Sequence, residues 1–313
     1  MYDADDAAYA KASIANGSQS FAAASRLLPS GVREDVARLY AWCRYADDLI
    51  DGQDHGHGAS AVDDADARLA QLRERTDAAL ASERTGDPIF DGFGVVAARR
   101  GITRPLAHDL LDGFQMDVTA RHYETVDDLC EYCYGVAGAV GVMMGLTIGV
   151  DADDADTLDR ACDLGLAFQM TNIARDIVAD AAVGRVYLPA AWLAQEGLPS
   201  CATAVADPGN AVAVHRVVKR LVAEADAYYA SASVGVRRLP FRVAWAIASA
   251  GGVYRAIGKR RVTWGPGRIA ERARTTRTEK LGLIARASVT AARTSEWGLP
   301  PARDGLWQRP SRP

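Results

Sequence analysis

The sequence contains few runs of β-branched residues and no stretch with several sustained strand-like alternations of apolar and polar positions. It also lacks an internal repeat of fixed period and any break typical of an interdomain linker. Alanine is abundant, and apolar residues recur at helical spacing over most of the 313 residues. These features predict an all-α fold, a helical bundle forming a single domain over residues 1–313, with an irregular tail from about residue 295.

The sequence also lacks an excess of positive charge, a regular cysteine framework and the features of a signal peptide. The formal net charge of −4 gives no reason to expect a nucleic acid partner. The five cysteines form no regular framework, which favours free thiols in a reducing compartment. The N-terminus is acidic and lacks the basic and apolar regions of a signal peptide, so we expect a cytoplasmic protein.

One apolar segment approaches the length of a transmembrane helix. Nineteen uncharged residues lie between Glu131 and Asp151. Five of them are glycines, and the acidic flanks carry no Lys/Arg cluster that would set an orientation. A buried helix is therefore favoured over a membrane span. Its small residues between 135 and 149 would let neighbouring helices approach closely beside an apolar tunnel.

Pro- and Gly-rich breaks divide the chain into ten predicted helices. Their approximate ranges are 19–28, 32–51, 62–82, 88–99, 104–117, 126–149, 154–181, 210–232, 238–262 and 271–293.

Two of these helices gather polar side chains on one face. At about 100° per residue, Tyr40, Arg44, Asp47 and Asp51 fall within about 60° of one another. In the second helix, the stripe within about 80° consists of Gln169, Asn172, Asp176 and Asp180.

Either stripe alone is most simply a solvated acidic face. The second stripe, however, lies among apolar residues such as Phe168, Met170 and Ile173. Carboxylate and amide oxygens without Cys or His are the ligands that Mg²⁺ or Mn²⁺ prefers, and these ions often bridge to substrate phosphates. Two such stripes facing each other would hold several ions and clamp a diphosphate. The nearby guanidinium groups suit the same anion, and they belong to Arg44, Arg175 and Arg185.

The chain resembles the squalene and phytoene synthases along most of its length, and bacterial phytoene synthases most of all. The matching segments are SQSFAAASRLLP (18–29), YAWCRYADDLID (40–51), LLDGFQMDVTARHYETVDDLCEYCYGVAGAVGVMM (110–144) and QMTNIARDIVADAAVGRVYLP (169–189). The similarity is imperfect at Ala174, where relatives usually carry a larger apolar residue, and this change could alter the shape of the cavity.

This resemblance implies a role for each matching position. Asp47, Asp51, Asp176 and Asp180 would form the two acidic metal motifs, with Asn172 as a further ligand. Tyr132 and Tyr254 would line the reaction cavity and, with Tyr40 and Arg44, act in catalysis. The positions expected to contact substrate or diphosphate are Ser18, Ser20, Gln169, Arg175, Arg185, Tyr187, Arg272 and Arg274.

By the same resemblance, two geranylgeranyl diphosphates would condense head to head into phytoene through prephytoene diphosphate, the first committed step of carotenoid biosynthesis. Several Mg²⁺ or Mn²⁺ ions would be needed, and no NADPH is expected. The proton acceptor stays open between a tyrosine oxygen and the released diphosphate. A dehydrosqualene or squalene synthase acting on farnesyl diphosphate is the alternative within the enzyme class. From another class, a catalytically silent helical assembly protein stays open.

The basic segment 255–280 is either a solvated face or a surface for diphosphate or anionic lipid. Because substrate and product are lipids, we expect peripheral contact with the inner membrane face, and enzymes of the carotenoid pathway are candidate partners.

Overall fold

The computed structural model describes residues 24–51, 64–292 and 303–310, except for the side chain of Asp51. The α-helices with complete bounds in these residues are α1 (Ser30–Asp51), α2 (Ala65–Leu80), α3 (Pro88–Arg100), α4 (Arg104–Val118), α5 (Val126–Cys133), α6 (Ala139–Thr147), α7 (Ala155–Ala182), α8 (Ala190–Gln195), α9 (Ala202–Ala206), α10 (Ala211–Val236), α11 (Phe241–Trp264) and α12 (Arg277–Ala292). The described residues contain no β-strand, so the predicted all-α fold is confirmed.

Helix α1 is fixed at its first turns by a buried carboxylate. Asp35 is fully buried and accepts hydrogen bonds from Arg99 at 2.8 Å and from Arg100 at 2.6 Å, both at the end of α3. Further along α1, Trp42 stacks on Phe93 of α3 with ring centroids 4.0 Å apart. These contacts turn one face of α1 towards α3 and leave its polar stripe free to face the centre of the bundle.

The long apolar segment is a single helical rod with a π-helical interruption. Tyr134–Gly138 forms this π-helix between α5 and α6. Val126–Thr147 is long and apolar enough to cross a membrane by length and composition, but 67% of its most apolar window is buried inside the protein. The segment is therefore a core element of this fold, as its glycines and acidic flanks predicted.

Glycines bring this rod against the central helix α7. A Cβ atom placed on Gly165 would lie 2.2 Å from the carbonyl oxygen of Ala137, and one on Gly141 would lie 2.3 Å from that of Ala161. Since real Cβ atoms never approach so closely, the two backbones touch directly at these positions. The predicted close approach of helices at the small residues is confirmed.

Two short helices, α8 and α9, were not predicted, since five or six residues give no readable periodicity. The final helix was predicted to begin at residue 271, yet α12 begins at Arg277. Residues 265–276, here named the α11–α12 loop, contain only a short 3₁₀ turn at Pro266–Arg268.

The described part of the tail, residues 303–310, is irregular but anchored. Arg303 pairs with Asp163 at 2.8 Å and with Asp159 at 2.9 Å, both on α7. The ring of Trp307 lies 5.3 Å from that of Tyr134. This segment therefore closes over the side of α7 that faces away from the polar stripe.

Candidate active site

One large cavity, with a volume of about 760 Å³, collects most of the predicted site residues. Both acidic stripes line its polar end, and its other end is mostly apolar apart from Thr157 and Arg160. The predicted residues that line it are Tyr40, Arg44, Asp47, Tyr132, Gln169, Asn172, Arg175, Asp176, Asp180, Arg185, Tyr187, Tyr254 and Arg272.

Helix α1 contributes Tyr40, Arg44 and Asp47 to the cavity, one turn after another. The Arg44 guanidinium lies 3.0 Å from Asp47 and 2.6 Å from Asp48, which does not line the cavity. Burial raises the pKa of Tyr40 well above its ordinary value, so this phenol is neutral at physiological pH. The predicted positions Ser18 and Ser20, and the side chain of Asp51, lie outside the described residues.

Helix α7 carries the second stripe along the same cavity. The Asn172 side-chain amide donates to Gln169 at 3.3 Å. The Asn172 Oδ1 atom is buried without a hydrogen-bond partner in the described structure. Because an unsatisfied buried carbonyl is costly, such an atom indicates a place for a missing donor or cation.

The acidic residues alone make an incomplete metal centre. Among the described residues, no three His, Cys, Asp or Glu side chains are grouped closely enough to hold a metal ion. A hard cation such as Mg²⁺ commonly completes its shell with waters and substrate phosphate oxygens. The oxygen-only donor set and the unpartnered Asn172 Oδ1 therefore fit a cation that also binds a diphosphate.

Asp176 is held by two guanidinium groups. Arg175 contacts both of its carboxylate oxygens, with the shortest distance 2.5 Å. Arg272, from the α11–α12 loop, lies 2.8 Å from Oδ1 and donates to Oδ2 at 3.2 Å. Arg185 also lines the cavity, whereas Arg274 lies exposed on the same loop and does not line it.

Asp180 lies one turn after Asp176 and is less readily charged. Burial and the neighbouring Asp176 carboxylate raise the pKa of Asp180 to about 7, although Arg185 and Arg175 oppose the shift. A carboxylate in this setting gains most from a positively charged ligand. A divalent cation beside Asp176 and Asp180 would lower this pKa again and favour the charged form.

A fourth acidic residue at the cavity, Asp117 of α4, had no predicted role. It accepts a hydrogen bond from Tyr187 at 2.8 Å and from Tyr132 at 3.0 Å. The Tyr132 and Tyr187 rings stack with centroids 4.8 Å apart. The only sequence signal for Asp117 was its position inside the matching segment DGFQMDV, because it has no acidic neighbour at helical spacing.

Asp117 and Tyr132 meet because α4 and the π-helix touch through glycine. A Cβ atom on Gly135 would lie 2.7 Å from the Cα atom of Gly113. This contact sets the two helices at backbone distance, three residues past Tyr132 and four residues before Asp117. The site geometry therefore depends on glycine at both positions, because a side chain at either one would push the two helices apart.

The middle of the cavity is apolar and aromatic. Tyr254 of α11 stacks on Phe168 of α7 with centroids 4.4 Å apart. Ala174 is fully buried and does not line the cavity, although its neighbours Ile173 and Arg175 do, so an effect on the cavity's shape would act through neighbouring side chains. The apolar lining continues away from the acidic end through Val140, Met144, Ile148, Leu164, Val236, Leu239 and Ile247.

Comparisons with known proteins agree with this arrangement. The chain is 48% identical to the 15-cis-phytoene synthase of Paracoccus sp. over 95% of each chain. It is 49% identical to the 15-cis-phytoene synthase of Enterobacter agglomerans, covering 94% of this chain and 99% of that protein. The structure matches that of a dehydrosqualene synthase in complex with ligand, with a TM-score of 0.77 and 27% identity over 91% of this chain and 96% of the other. Residues 14–276 match the family model described as squalene/phytoene synthase, and the chain belongs to that family.

Proposed function

We propose that this protein is a phytoene synthase: a prenyltransferase that condenses two geranylgeranyl diphosphates head to head into phytoene through prephytoene diphosphate. The observation that carries the proposal is the cavity, which joins an acidic, arginine-rich end to a long apolar end. The 15-cis-phytoene synthases with 48% and 49% identity support this choice of substrate and product. A dehydrosqualene synthase is a more distant relative, at 27% identity.

The polar end of the cavity would bind the diphosphate groups. Arg175 and Arg272 present guanidinium forks beside Asp176, where they can pair with phosphate oxygens. The oxygens that would hold Mg²⁺ or Mn²⁺ belong to Asp47, Asp51, Asn172, Asp176 and Asp180. When bound, these ions would neutralise charge on the departing diphosphate and so promote ionisation of the allylic substrate.

The apolar end would hold the prenyl tails and keep water away from the cation. Cavity-lining residues continue along α7 from Asp176 back to Thr157, a distance of about 28 Å at 1.5 Å per residue. A dry lining matters because an allylic cation exposed to water would be quenched before the second prenyl chain reacts.

Aromatic rings line the route on which positive charge would develop. Tyr40, Tyr132 and Tyr254 line the cavity, and ring faces stabilise nearby cations. Burial raises the pKa of Tyr132 well above its ordinary value, and its hydroxyl donates to Asp117. This neutral, donating phenol is a poor base. The released diphosphate is therefore the better candidate for the proton acceptor.

Product analysis tests the proposed reaction directly. The purified protein would be incubated with labelled geranylgeranyl or farnesyl diphosphate, each with Mg²⁺ and with or without NADPH. We expect phytoene from geranylgeranyl diphosphate, independent of NADPH. Dehydrosqualene as the main product, or a saturated central bond formed only with NADPH, would contradict the proposal.

Substitution tests the proposed metal ligands. Asp47→Asn and Asp176→Asn should each lower turnover by at least about 100-fold, because each loses a charged ligand, while the helical circular dichroism spectrum stays unchanged. Asp127→Asn, on the exposed face of α5, is the matched control. Wild-type turnover in the Asp47→Asn, Asp176→Asn double variant would refute the metal assignment.

A cytoplasmic protein with peripheral membrane contact suits lipid substrates and products. Helix α12 exposes Leu281 and Val289, at 67% and 55%, two turns apart on one face. Arg286 is also exposed on this helix, as expected for contact with anionic headgroups. Flotation with anionic vesicles at low salt tests the contact, and Leu281→Glu should weaken it. A wild-type protein that stays entirely with the soluble fraction would contradict it.

A further inference from the structure

Arg261, near the end of α11, is a buried guanidinium outside the predicted site. Its side chain is 1% exposed. It donates to the main-chain oxygens of Ala174 at 3.1 Å, of Arg268 at 2.7 Å, of Glu271 at 3.1 Å and of Ile269. Burying a guanidinium is costly unless its donors are satisfied, and four carbonyls meet that need here.

The four carbonyls belong to two separate segments. Ala174 lies on α7, two residues before Asp176, while the other three acceptors lie in the α11–α12 loop. Arg261 therefore joins the loop to α7 at the second acidic motif. The sequence had predicted that the final helix begins at residue 271. The loop is not helical there because its backbone turns to present carbonyl oxygens to the Arg261 side chain.

Arg272 follows directly after the last of these loop carbonyls. Its guanidinium makes a two-pronged contact with Asp176, at 2.8 Å and 3.2 Å. Its side chain is 51% exposed, and exposed ion pairs contribute little to holding a loop in place. The buried Arg261 contacts are thus the better candidate for what fixes the position of Arg272.

We infer that Arg261 is a positioning residue for diphosphate binding: it holds the α11–α12 loop against α7, so that Arg272 stays over Asp176 and within reach of the substrate diphosphate. This inference rests on the proposed function of the same site. An incoming diphosphate competes with Asp176 for the exposed guanidinium of Arg272, while the buried Arg261 stays bound to backbone oxygens. Arg261 itself does not line the cavity and acts through Arg272.

The first test measures the loop without any ligand or turnover. The exposed residues Arg268, Arg272 and Arg274 make the loop a substrate for trypsin. In metal-free protein, Arg261→Met should speed cleavage after Arg268 by about 10-fold or more, because loop opening is no longer opposed by four hydrogen bonds. Lys259→Met, on the exposed face of the same helix, should cleave at the wild-type rate. An unchanged rate in Arg261→Met would overturn the inference.

The second test asks whether Arg261 acts through Arg272. Calorimetry with inorganic diphosphate and excess Mg²⁺ would compare Arg261→Met, Arg272→Met and the double variant. Each single change should weaken binding by about 10-fold, and the double change by little more, because coupled residues are not additive. An additive loss of about 100-fold in the double variant would overturn the inference.

Arg261→Lys covers the case in which the methionine variant does not fold. Lysine keeps the charge but has only three donors on one atom, so it cannot reach four carbonyls. We expect cleavage after Arg268 to be faster than in wild type, and diphosphate affinity to lie between those of wild type and Arg272→Met, with an unchanged helical spectrum. Wild-type values of both would overturn the inference. Both measurements are independent of prenyl transfer, so they stand even if the product assay contradicts the proposed function.

Discussion

The hydroxyl of Tyr187 donates a 2.8 Å hydrogen bond to Asp117, seventy residues earlier in the chain. The other oxygen of the same carboxylate accepts from Tyr132 at 3.0 Å. Asp117 thus holds two stacked phenol rings in one orientation at the cavity wall. Burial and the Asp117 carboxylate raise the pKa of both tyrosines, which keeps the rings neutral and fixed as donors.

Asp117→Asn should lower kcat by about 10- to 100-fold, because hydrogen bonds to a charged group contribute roughly 1.5–3 kcal/mol. The asparagine amide has a single acceptor oxygen, so it cannot accept a hydrogen bond from each phenol on a separate atom as the carboxylate does. Steady-state kinetics would measure the loss. Tyr134→Phe removes a similar buried Tyr–Asp bond, from Tyr134 to Asp109, outside the cavity, and should leave kcat near wild type. Equal kcat values for wild type and Asp117→Asn would show that the two rings need no such anchor.

Asn172→Ala should separate metal binding from stability. In the metal-free protein, the change removes a buried carbonyl that has no partner, so the Tm should stay within about 2 °C of wild type or rise. With Mg²⁺ and inorganic diphosphate, the ligand-induced rise in Tm should be much smaller than in wild type. Scanning fluorimetry measures both. A variant stabilised by ligand as strongly as wild type would remove Asn172 from the metal site.

Asp180→Asn should change how stability depends on pH. The pKa of Asp180 is raised from 3.8 to about 7 on folding, so the folded state binds more protons. This group therefore favours folding most below pH 4, and the benefit is lost as pH rises to about 7. In metal-free protein, Asp180→Asn should raise the Tm at pH 8 by about 2–6 °C and change it less at pH 5. If the Tm of both proteins depended on pH in the same way, the pKa of Asp180 would not be raised in the folded state.

Leu164→Trp should shorten the accepted prenyl chain. Leu164 lines the apolar part of the cavity on α7, about 18 Å along the helix from Asp176. The indole ring would fill space that the end of a prenyl tail would otherwise occupy. The preference for geranylgeranyl over farnesyl diphosphate in kcat/KM should fall by about 10-fold or more. Val212→Trp, on the exposed face of α10, serves as control. An unchanged preference would place the tails elsewhere.

Local pattern was enough to predict much of the site. Apolar spacing predicted the bounds of α1 and α7 to within about two residues. The helical repeat of about 100° per residue assigned Asp47 and Asp176 to polar faces, and both residues line the same cavity. Predictions of this kind succeed because a polar stripe on an otherwise apolar helix must face either solvent or a polar cavity. The similarity to a known family added Tyr132 and Tyr254, which no spacing rule singles out.

The residues missed are those whose role depends on contacts distant in sequence. Asp117 is a lone acid, and its two tyrosines come from other segments. Arg261 lies in the basic segment that the sequence assigned either to a solvated face or to a surface for diphosphate or anionic lipid, yet its side chain is buried. The start of α12 was misplaced for the same reason, because the carbonyls of Arg268, Ile269 and Glu271 accept hydrogen bonds from a side chain of the preceding helix.

The ion pairs of Arg303 have a practical consequence for shortened or tagged versions of the protein. Asp163 is fully buried, and Arg303 contacts both of its oxygens at 2.8 Å. Deleting the last dozen residues would leave that carboxylate buried without its guanidinium, a loss of roughly 3–5 kcal/mol. For a domain of ordinary stability this is a large fraction of the total. Purification handles are therefore better attached at the other terminus, and crystallisation trials should keep the chain through Arg309.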